Sequence, residues 1–332
     1  MEMIAIAGQT DVGQRRKDNQ DTLICQLLDS PKWPSKGMAL VAAIDGVGGY
    51  MGGDIAAKIA KEYIEQYMAE PKGDIESMLR EAVVHANNQI FEASKQDLKL
   101  SQMCCVLTAA VADANTQKLY FVHVGDTRLY CLRNGELNKL SKDHSIVGIR
   151  EDANELTEEE AMNHPRRNEI LREVGSVMHQ IDDTDFYDSV ETDFLPNDLL
   201  LLCSDGLSDM LTQAQMAAVL RKNTSLQKKV EELIDLANRQ GGKDNITVVL
   251  AQNNAPEPAV KPSHFSKKTQ EVRTEQIQNV PVQETVIAQN TEESKKVKES
   301  PLSENNRMKW LGGTLLLLFV GVIGFLLGKW RP

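Results

Sequence analysis

The stretch Ala43-Ile44-Asp45-Gly46-Val47-Gly48-Gly49 places one carboxylate at the end of an apolar run and then lets the chain turn sharply. Residues 41–44 predict a buried strand, and a helix is expected from Gly53 onward. A strand end holds a charged oxygen rigidly, and glycines allow other groups to approach it closely. Taken alone, the stretch is also typical of a glycine turn whose aspartate caps a helix. Its meaning depends on whether other strands end in the same way.

Apolar runs and helical spacing divide most of the first 252 residues into strands and helices. Strands are predicted at residues 4–10, 22–28, 41–44, 106–112, 118–124, 128–133, 136–140, 199–203 and 246–251. Helices are predicted at residues 54–68, 75–95, 212–222 and 226–240. The strands fall into two groups, each with its own helix pair. This pattern favours two stacked sheets with helices outside over a strictly alternating parallel sheet.

Composition and charge limit the classes of function. With 332 residues, of which 41% are hydrophobic and 26% charged, the chain is long enough for one large domain or two small ones, plus appendages. A net charge of -11 argues against nucleic acid as a partner and suits a protein that binds divalent cations or basic peptides.

The five cysteines form no CxxC pair, so we expect them to be reduced and mostly buried.

The C-terminal part of the chain differs in composition from the rest. Residues 253–308 are polar and almost free of aromatic side chains, which predicts a disordered linker after a folded domain at residues 1–252. Residues 309–330 predict a transmembrane helix, because the uncharged run 311–328 approaches the about 20 residues that cross a bilayer and has tryptophans at both edges. A buried core helix is the alternative, but the run follows a polar linker and has no domain to pack into.

Five aspartates lie at the borders of apolar runs, as Asp45 does. They are Asp21, Asp45, Asp126, Asp205 and Asp244, and three of them adjoin a glycine. Carboxylates without histidine or cysteine partners form a hard, all-oxygen site, which suits Mg²⁺ or Mn²⁺ rather than zinc. Such a cluster would repel itself unless a cation neutralised it. It best supports a pair of metals about 3.5–4 Å apart that activates water for in-line attack on phosphorus.

Six short motifs in a fixed order extend this interpretation. They are Arg16-Lys17-Asp18-Asn19-Gln20-Asp21, Asp45-Gly46-Val47-Gly48-Gly49, Gly125-Asp126-Thr127-Arg128, Asp143-His144-Ser145, Ser204-Asp205-Gly206-Leu207 and Asp244-Asn245. Over about residues 3–252 their order and separation resemble the metal-dependent protein phosphatases of type 2C, especially the bacterial branch. The resemblance implies an α+β fold, an α-β-β-α four-layer sandwich of mainly antiparallel sheets. It also implies two Mn²⁺ or Mg²⁺ ions, with a third, weaker site left open.

The resemblance assigns metal-binding roles to individual residues. Asp45 would bridge the two metals, and the Gly46 carbonyl would bind the second. Asp205 and Asp244 would complete the shell of the first metal, and Asp21 would act through coordinated water. These assignments give every aspartate at a strand end except Asp126 a role at the binuclear centre.

Four further residues take roles by the same resemblance. Asp126, together with Asp205, resembles the ligands of a third metal in bacterial members. Arg16 would hold the substrate phosphate, for which its planar guanidinium is suited. Arg16 and Asp45 are thus the predicted catalytic residues. Asn245 would support Asp244 from behind, and Gln20 stands where an acidic residue often supports the metal site.

The resemblance also implies a biological setting. The substrates would be phosphoserine and phosphothreonine on proteins, and the enzyme would oppose a cognate Ser/Thr kinase. Combined with the predicted anchor, this places the chain in the inner cell membrane as a single-pass tail-anchored protein with its catalytic domain in the cytoplasm. A substrate other than a protein is a further alternative, although the sequence shows no nucleotide-binding or sugar-binding pattern to favour it.

Some positions depart from the family pattern. Gln20 replaces an acid, and Val47 stands where eukaryotic relatives carry a histidine proposed as general acid. Cys104 and Cys105 fall where a Gly-Thr-Thr-like sequence is common, which raises a redox alternative to plain burial. These departures leave open a second hypothesis, a catalytically weak phosphatase-like scaffold that binds phosphoproteins at the membrane.

The segment at residues 145–179 is rich in charge and is expected, by the resemblance, to be a flap beside the active site that selects substrates. Arg166 and Arg167 in this segment could steer a phosphopeptide, although a solvated charge pair is the simpler interpretation. His144, just before the segment, is expected to form structural hydrogen bonds rather than to take part in catalysis.

Overall fold

The structure, a computed structural model, describes residues 2–29, 31–33, 36–47 and 51–257. The strands are β1 (Ile4–Asp11), β2 (Thr22–Leu27), β3 (Met38–Gly46), β4 (Cys105–Asp113), β5 (Lys118–Val124), β6 (Arg128–Arg133), β7 (Glu136–Lys139), β8 (Asp188–Asp193), β9 (Leu199–Cys203) and β10 (Ile246–Asn253). The helices are α1 (Gly53–Met68), α2 (Ile75–Ser94), α3 (Ile146–Asp152), α4 (Glu158–Met162), α5 (Asp205–Ser208), α6 (Gln213–Leu220) and α7 (Leu226–Arg239), with a 3₁₀ turn at Leu98–Leu100.

The strands form two five-stranded sheets in which every neighbouring pair is antiparallel. One sheet has the order β1-β10-β9-β6-β7, and the other has the order β2-β3-β4-β5-β8. The two sheets stack on a shared apolar layer, so the prediction of two stacked, mainly antiparallel sheets is confirmed.

Strand β3 shows why the central strands are apolar on both faces. Leu40, Ala42 and Ile44 belong to the core beneath α1 and α2, whereas Val41 and Ala43 belong to the layer between the two sheets. Because side chains alternate between the faces of a strand, a strand covered on both sides must be apolar at every position. This accounts for the continuous run that ends at Asp45.

Helix pairs cover the outer faces of the sheets. Helices α1 and α2 pack on the sheet that contains β3, and α6 and α7 pack on the sheet that contains β9. Their starts are fixed locally: the Asp74 carboxylate accepts a hydrogen bond from Ser77 N at 2.8 Å, and Thr212 and Gln215 form a capping box. The resulting layers are helix, sheet, sheet, helix.

The chain passes from one sheet to the other at points where acidic residues lie. Residues 12–21 connect β1 to β2, and Gly125-Asp126-Thr127 connects β5 to β6. The strands β3 and β9 end beside these connections, at Gly46 and Cys203. The sandwich therefore collects its acidic motifs at one end of the inter-sheet layer.

Several elements differ from the sequence-based expectation. The strand β8 was not predicted, because its sequence Asp-Ser-Val-Glu-Thr-Asp is polar and none of its residues is buried, as an edge strand allows. The flap contains the short helices α3 and α4, which the sequence analysis missed. The strand β3 extends through Gly46, so Asp45 lies within the strand rather than after it. The strand β10 continues to Asn253.

Of the predicted linker at residues 253–308, residues 258–308 lie outside the described residues, as do the predicted span at residues 309–330 and Gly48 and Gly49. The first residue of the predicted linker, Asn253, is instead the last residue of β10. Within the part of the chain that the structure describes, no helix is both long enough and apolar enough to cross a bilayer.

Candidate active site

Asp45 and Gly46 form the end of β3 and approach two other segments closely. Gly46 N donates a hydrogen bond to the Gln20 carbonyl at 3.2 Å. A Cβ on Gly46 would lie 2.3 Å from the Gly53 carbonyl oxygen and 2.7 Å from that of Gln20. Only glycine fits here, which explains why the residue after Asp45 has no side chain. The close packing fixes the Asp45 carboxylate and the Gly46 backbone together.

Asp205 begins the short helix α5 directly after β9. A Cβ on the next residue, Gly206, would lie only 1.9 Å from the Asn245 carbonyl oxygen. The close approach of α5 and β10 brings Asp205 beside the Asp244-Asn245 motif. Within the described residues, the buried Oδ1 atom of Asp205 has no hydrogen-bond partner.

Asn245 joins the Asp244 segment to the loop between β1 and β2. Its Oδ1 accepts a hydrogen bond from Gln20 N at 2.9 Å, and its Nδ2 donates to the carbonyls of Val12 and Asp18, both at 3.0 Å. Its own backbone N–H donates to Asp244 Oδ1 at 2.8 Å. The structure therefore places Asn245 behind Asp244, and Gln20 takes part in this network through its backbone.

Arg16 lies at the rim of the same region. Its Nη2 contacts Asp244 Oδ2 at 2.5 Å, and its side chain is 38% exposed. The guanidinium therefore holds one carboxylate of the site while part of it faces solvent.

Asp21 lies deeper than the other aspartates. It is buried, and its Oδ2 accepts hydrogen bonds from Ser204 Oγ at 2.8 Å and Thr247 Oγ1 at 2.7 Å. It does not line the cavity described below. The role of Asp21 through coordinated water stays a prediction.

One cavity joins these elements. It has a volume of about 470 Å³ and is open to solvent. Its lining consists of Arg16, Asp45, Val47, Val106, Asp126, Asn168, Ile170, Asp205 and Asp244. Four of the predicted metal-binding aspartates and the predicted phosphate-binding arginine thus face a single space, to which the flap contributes Asn168 and Ile170.

Burial and mutual repulsion make these carboxylates difficult to ionise together. Burial raises the pKa of Asp45 well above its usual range, and the charges of Asp21 and Asp205 add to the effect. Burial, with the charge of Asp209, likewise raises the pKa of Asp205. Burial raises the pKa of Asp126 to about 7 and that of Asp21 to about 6. Cations are the natural compensation for such a cluster.

The residues fit a hard divalent cation. The four aspartates in the cavity lining offer carboxylate oxygens as ligands, and the buried Oδ1 of Asp205 has no hydrogen-bond partner among the described residues. Among residues 2–29, 31–33, 36–47 and 51–257, no three His, Cys, Asp or Glu side chains converge on one point closely enough to hold an ion.

A second cavity of about 370 Å³ lies beneath the flap, and Asp126, Asp205, Asp209 and Arg167 help to line it. Arg167 Nε donates to Asp209 Oδ2 at 2.7 Å, which ties the flap to the end of α5. Asp209 was not among the residues predicted from the sequence. Its spacing of four residues from Asp205, one helical turn, is the signal that could have found it.

The other residues singled out from the sequence have ordinary contacts. Arg166 pairs with Glu169, so neither Arg166 nor Arg167 is an unpaired cation. His144 Nδ1 accepts from Gly125 N at 3.2 Å, in agreement with a structural role. None of the five cysteines forms a disulfide and four are buried, which confirms that expectation. Burial raises the pKa of Cys104 to about 12, which disfavours the redox alternative.

The fold and the site define an acidic, all-oxygen centre with a rim arginine, an arrangement suited to metal-assisted chemistry on phosphate groups. The family model described as protein phosphatase 2C matches residues 14–251. The serine/threonine phosphatase stp of Listeria welshimeri is 34% identical over 252 residues, covering 74% of this chain and 94% of the relative.

Solved structures are similar over the same region. The serine/threonine phosphatase of S. agalactiae has a TM-score of 0.64 at 32% identity, covering 75% of this chain and 98% of that one. The catalytic domain of the phosphatase PstP, solved with two manganese ions, has a TM-score of 0.61 at 29% identity, covering 75% and 97%. The chain belongs to the protein phosphatase 2C family, whose members use Mn²⁺ or Mg²⁺, and it is a serine/threonine protein phosphatase of the bacterial type.

Proposed function

We propose that the chain hydrolyses phosphoserine and phosphothreonine on proteins at a centre of two Mn²⁺ or Mg²⁺ ions. The observation that carries the proposal is the single cavity that Asp45, Asp126, Asp205 and Asp244 line together with Arg16. The two manganese ions in the PstP catalytic domain support the number of ions. A third, weaker ion beside Asp126 and Asp205 is part of the proposal, because both also line the second cavity.

Each residue has a defined task in this proposal. Asp45, Asp205, Asp244 and the Gly46 carbonyl would hold the ions, and Asp21 would support them from behind. When bound, the ions supply a water of lowered pKa and neutralise charge on the phosphoryl group. Arg16 would bind a phosphoryl oxygen with the part of its guanidinium that faces solvent.

Once bound cations keep the carboxylates ionised, no side chain that lines the cavity is a ready proton donor for the leaving serine or threonine oxygen. Val47 lines the cavity at the position where, by the resemblance, eukaryotic relatives carry a histidine. The other lining side chains are four carboxylates, one amide, two apolar groups and Arg16. A solvent molecule would therefore have to protonate the leaving group, since Arg16 does not release its proton.

We also propose that residues 309–330 anchor the enzyme in the inner membrane, with the catalytic domain in the cytoplasm. There it would remove phosphate groups that a cognate Ser/Thr kinase adds. The support is the uncharged run 311–328 with a tryptophan at each edge and the polar segment before it. An enzyme tethered in this way would act on phosphoproteins within reach of the membrane surface.

The catalytic proposal is tested by assaying p-nitrophenyl phosphate and a phosphothreonine peptide with and without Mn²⁺. Asp205→Asn should abolish turnover of both substrates, because it removes a charge from the proposed ion site. Asp235→Asn is the matched control, since Asp235 is an exposed aspartate on α7. Mn²⁺-independent activity, or activity unchanged in Asp205→Asn, would contradict the proposal. Peptide binding without turnover in the wild type would instead favour the scaffold.

A further inference from the structure

Two buried hydroxyl groups donate to the carboxylate of Asp21. Ser204 Oγ donates to Asp21 Oδ2 at 2.8 Å, and Thr247 Oγ1 donates to the same oxygen at 2.7 Å. All three residues are buried. The Ser204 oxygen in turn accepts a hydrogen bond from Thr247 N at 2.9 Å. The two hydroxyl groups are therefore fixed to each other as well as to the carboxylate.

These bonds belong to a closed ring of hydrogen bonds that begins and ends at Asp21. Asp21 N donates to Asn19 Oδ1 at 3.0 Å, and Asn19 Nδ2 donates to Thr10 Oγ1 at 2.9 Å. The hydroxyl oxygens of Thr10 and Thr247 lie 2.9 Å apart. Because an ionised carboxylate only accepts, the single hydroxyl proton of Thr247 goes to Asp21, and Thr10 donates to Thr247. The ring thus fixes the direction in which Thr247 donates.

The same two residues link Asp21 to the segments that carry other predicted ligands. Ser204 directly precedes Asp205, and Thr247 is the second residue of β10, which begins after Asp244-Asn245. Ser204 N also donates to the Thr247 carbonyl at 3.2 Å. The position of the Asp21 carboxylate is therefore coupled by hydrogen bonds to both segments.

The charge of Asp21 matters to the ion centre although Asp21 does not line the cavity. It acts on Asp45 and on Asp205. A buried carboxylate is costly unless donors satisfy it, and hydrogen bonds to a charged acceptor are stronger than those between neutral groups. The two hydroxyl groups thus stabilise a negative charge close to the predicted ligands, where such a charge attracts cations.

We propose that Ser204 and Thr247 are positioning residues that hold the Asp21 carboxylate in place and thereby tighten the binding of Mn²⁺ or Mg²⁺ at the neighbouring ion centre. The inference rests on the proposed function, since it concerns the ions of the same centre. Neither hydroxyl group touches an ion or the substrate, because each is used by Asp21.

The test is a calorimetric titration of the full chain with Mn²⁺ in the absence of substrate. Thr247→Val keeps the shape of the side chain without its hydroxyl group and should raise the Kd for Mn²⁺ roughly ten- to hundredfold. Ser204→Ala should change the Kd in the same direction. Thr247→Ser keeps the hydroxyl group and should restore the wild-type Kd.

Thr108→Val is the matched control. Thr108 is also a fully buried strand threonine, but its hydroxyl group bonds with His123 Nδ1 and Thr127 Oγ1, both at 2.8 Å, rather than with a carboxylate. Its Kd for Mn²⁺ should stay at the wild-type value. Thermal denaturation without metal verifies that each variant is folded.

A double-mutant cycle tests whether the effect passes through Asp21. Thr247→Val should weaken Mn²⁺ binding much less in an Asp21→Asn background than in the wild type, because the charge to be positioned is gone. Turnover of p-nitrophenyl phosphate by Thr247→Val should need more Mn²⁺, whereas kcat at saturating Mn²⁺ should return close to the wild-type value.

These measurements separate the inference from the proposed function. A wild type that binds Mn²⁺ without hydrolysing any substrate would contradict the proposed function, while the Kd comparison would still decide the role of Thr247. Equal Kd values for wild type and Thr247→Val, equal weakening in Thr108→Val, or no recovery in Thr247→Ser would overturn the inference alone. A wild type that binds no Mn²⁺ would overturn both.

Discussion

At the scale of single residues, Arg16 has one observed partner, Asp244, and one proposed partner, the substrate phosphoryl group. It contacts Asp244 at 2.5 Å and is 38% exposed, so it can hold a carboxylate and a phosphoryl oxygen at the same time. Arg16→Ala should raise KM for both p-nitrophenyl phosphate and a phosphopeptide by roughly ten- to hundredfold, as expected for a charge-assisted hydrogen bond. Steady-state kinetics with Mn²⁺ measures the effect.

The neighbouring arginine provides the control for this prediction. Arg15 is also exposed, and Arg15→Ala removes the same charge one residue away. Its KM values should remain near those of the wild type. Equal effects of the two substitutions would show that general charge, rather than a contact from Arg16, attracts the substrate.

The buried imidazole ring of His123 is expected to make the free energy of unfolding depend on pH in the acid range. It is fully buried, its Nδ1 lies 2.8 Å from Thr108 Oγ1, and its Nε2 has no partner among the described residues. Burial, assisted by the neighbouring charge of His144, lowers the pKa of His123 from 6.5 to about 4. The unfolded chain therefore binds a proton first as the pH falls. The neutral His123 ring therefore contributes its full stabilisation of the folded state above about pH 6.5. As the pH falls from about 6.5 to 4, the free energy of unfolding should decrease by about 3 kcal/mol.

Chemical denaturation measures the free energy of unfolding at several pH values between roughly 7.5 and 4, the range over which histidine titrates. His123→Asn should reduce the loss of free energy of unfolding on acidification, even if the variant starts less stable. His85→Gln should keep the wild-type pH dependence, because His85 is exposed on α2. Parallel curves for wild type and His123→Asn would show that other groups cause the acid loss.

At the scale of elements, the contact between α5 and β10 determines the spacing of two predicted ligands. A Cβ on Gly206 would lie 1.9 Å from the Asn245 carbonyl oxygen. Gly206→Ala must therefore separate Asp205 from Asp244, and it should cost on the order of 2–4 kcal/mol of unfolding free energy together with most of the activity. Thermal denaturation and Mn²⁺-dependent turnover are the measurements.

A glycine with more room gives the comparison. In β1, a Cβ on Gly8 would meet its nearest neighbours at 3.4 Å, an ordinary van der Waals distance. Gly8→Ala should change stability by less than about 1 kcal/mol. If Gly206→Ala proved as mild as Gly8→Ala, the close approach of α5 and β10 would not control the site.

The sequence could predict elements whose pattern is set by burial, but not those set by tertiary contacts. The strands β3, β4 and β9 are covered on both faces, so their uninterrupted apolar runs were visible. The edge strand β8 is polar and pairs with β5 by backbone hydrogen bonds, which leave no mark in composition. Similarly, α3 and α4 are too short to show a helical repeat.

The candidate site follows the same division. Asp45, Asp126 and Asp205 could be found because glycines that permit close approach adjoin them in the sequence. Asp209 and Asn168 could not be found in this way, because each reaches the site through a fold-dependent contact: Asp209 through the turn of α5 and Asn168 through the anchored flap. Sequence motifs thus predict the cavity residues that lie in recognisable local patterns better than those that tertiary contacts bring to the cavity.

At the scale of the whole molecule, the catalytic domain and the predicted anchor can be separated by two deletions. Met1–Pro262 forms a compact unit, so deletion of residues 263–332 and deletion of residues 307–332 should both leave kcat/KM for p-nitrophenyl phosphate unchanged. Only the full chain should sediment with lipid vesicles, because both deletions remove the apolar run 311–328. The shorter deletion keeps the polar segment and so tests whether that segment binds lipid by itself.

A truncated protein that stays with the vesicles, or that loses activity once released, would contradict a simple tether. The full chain remaining in the supernatant would contradict the anchor itself.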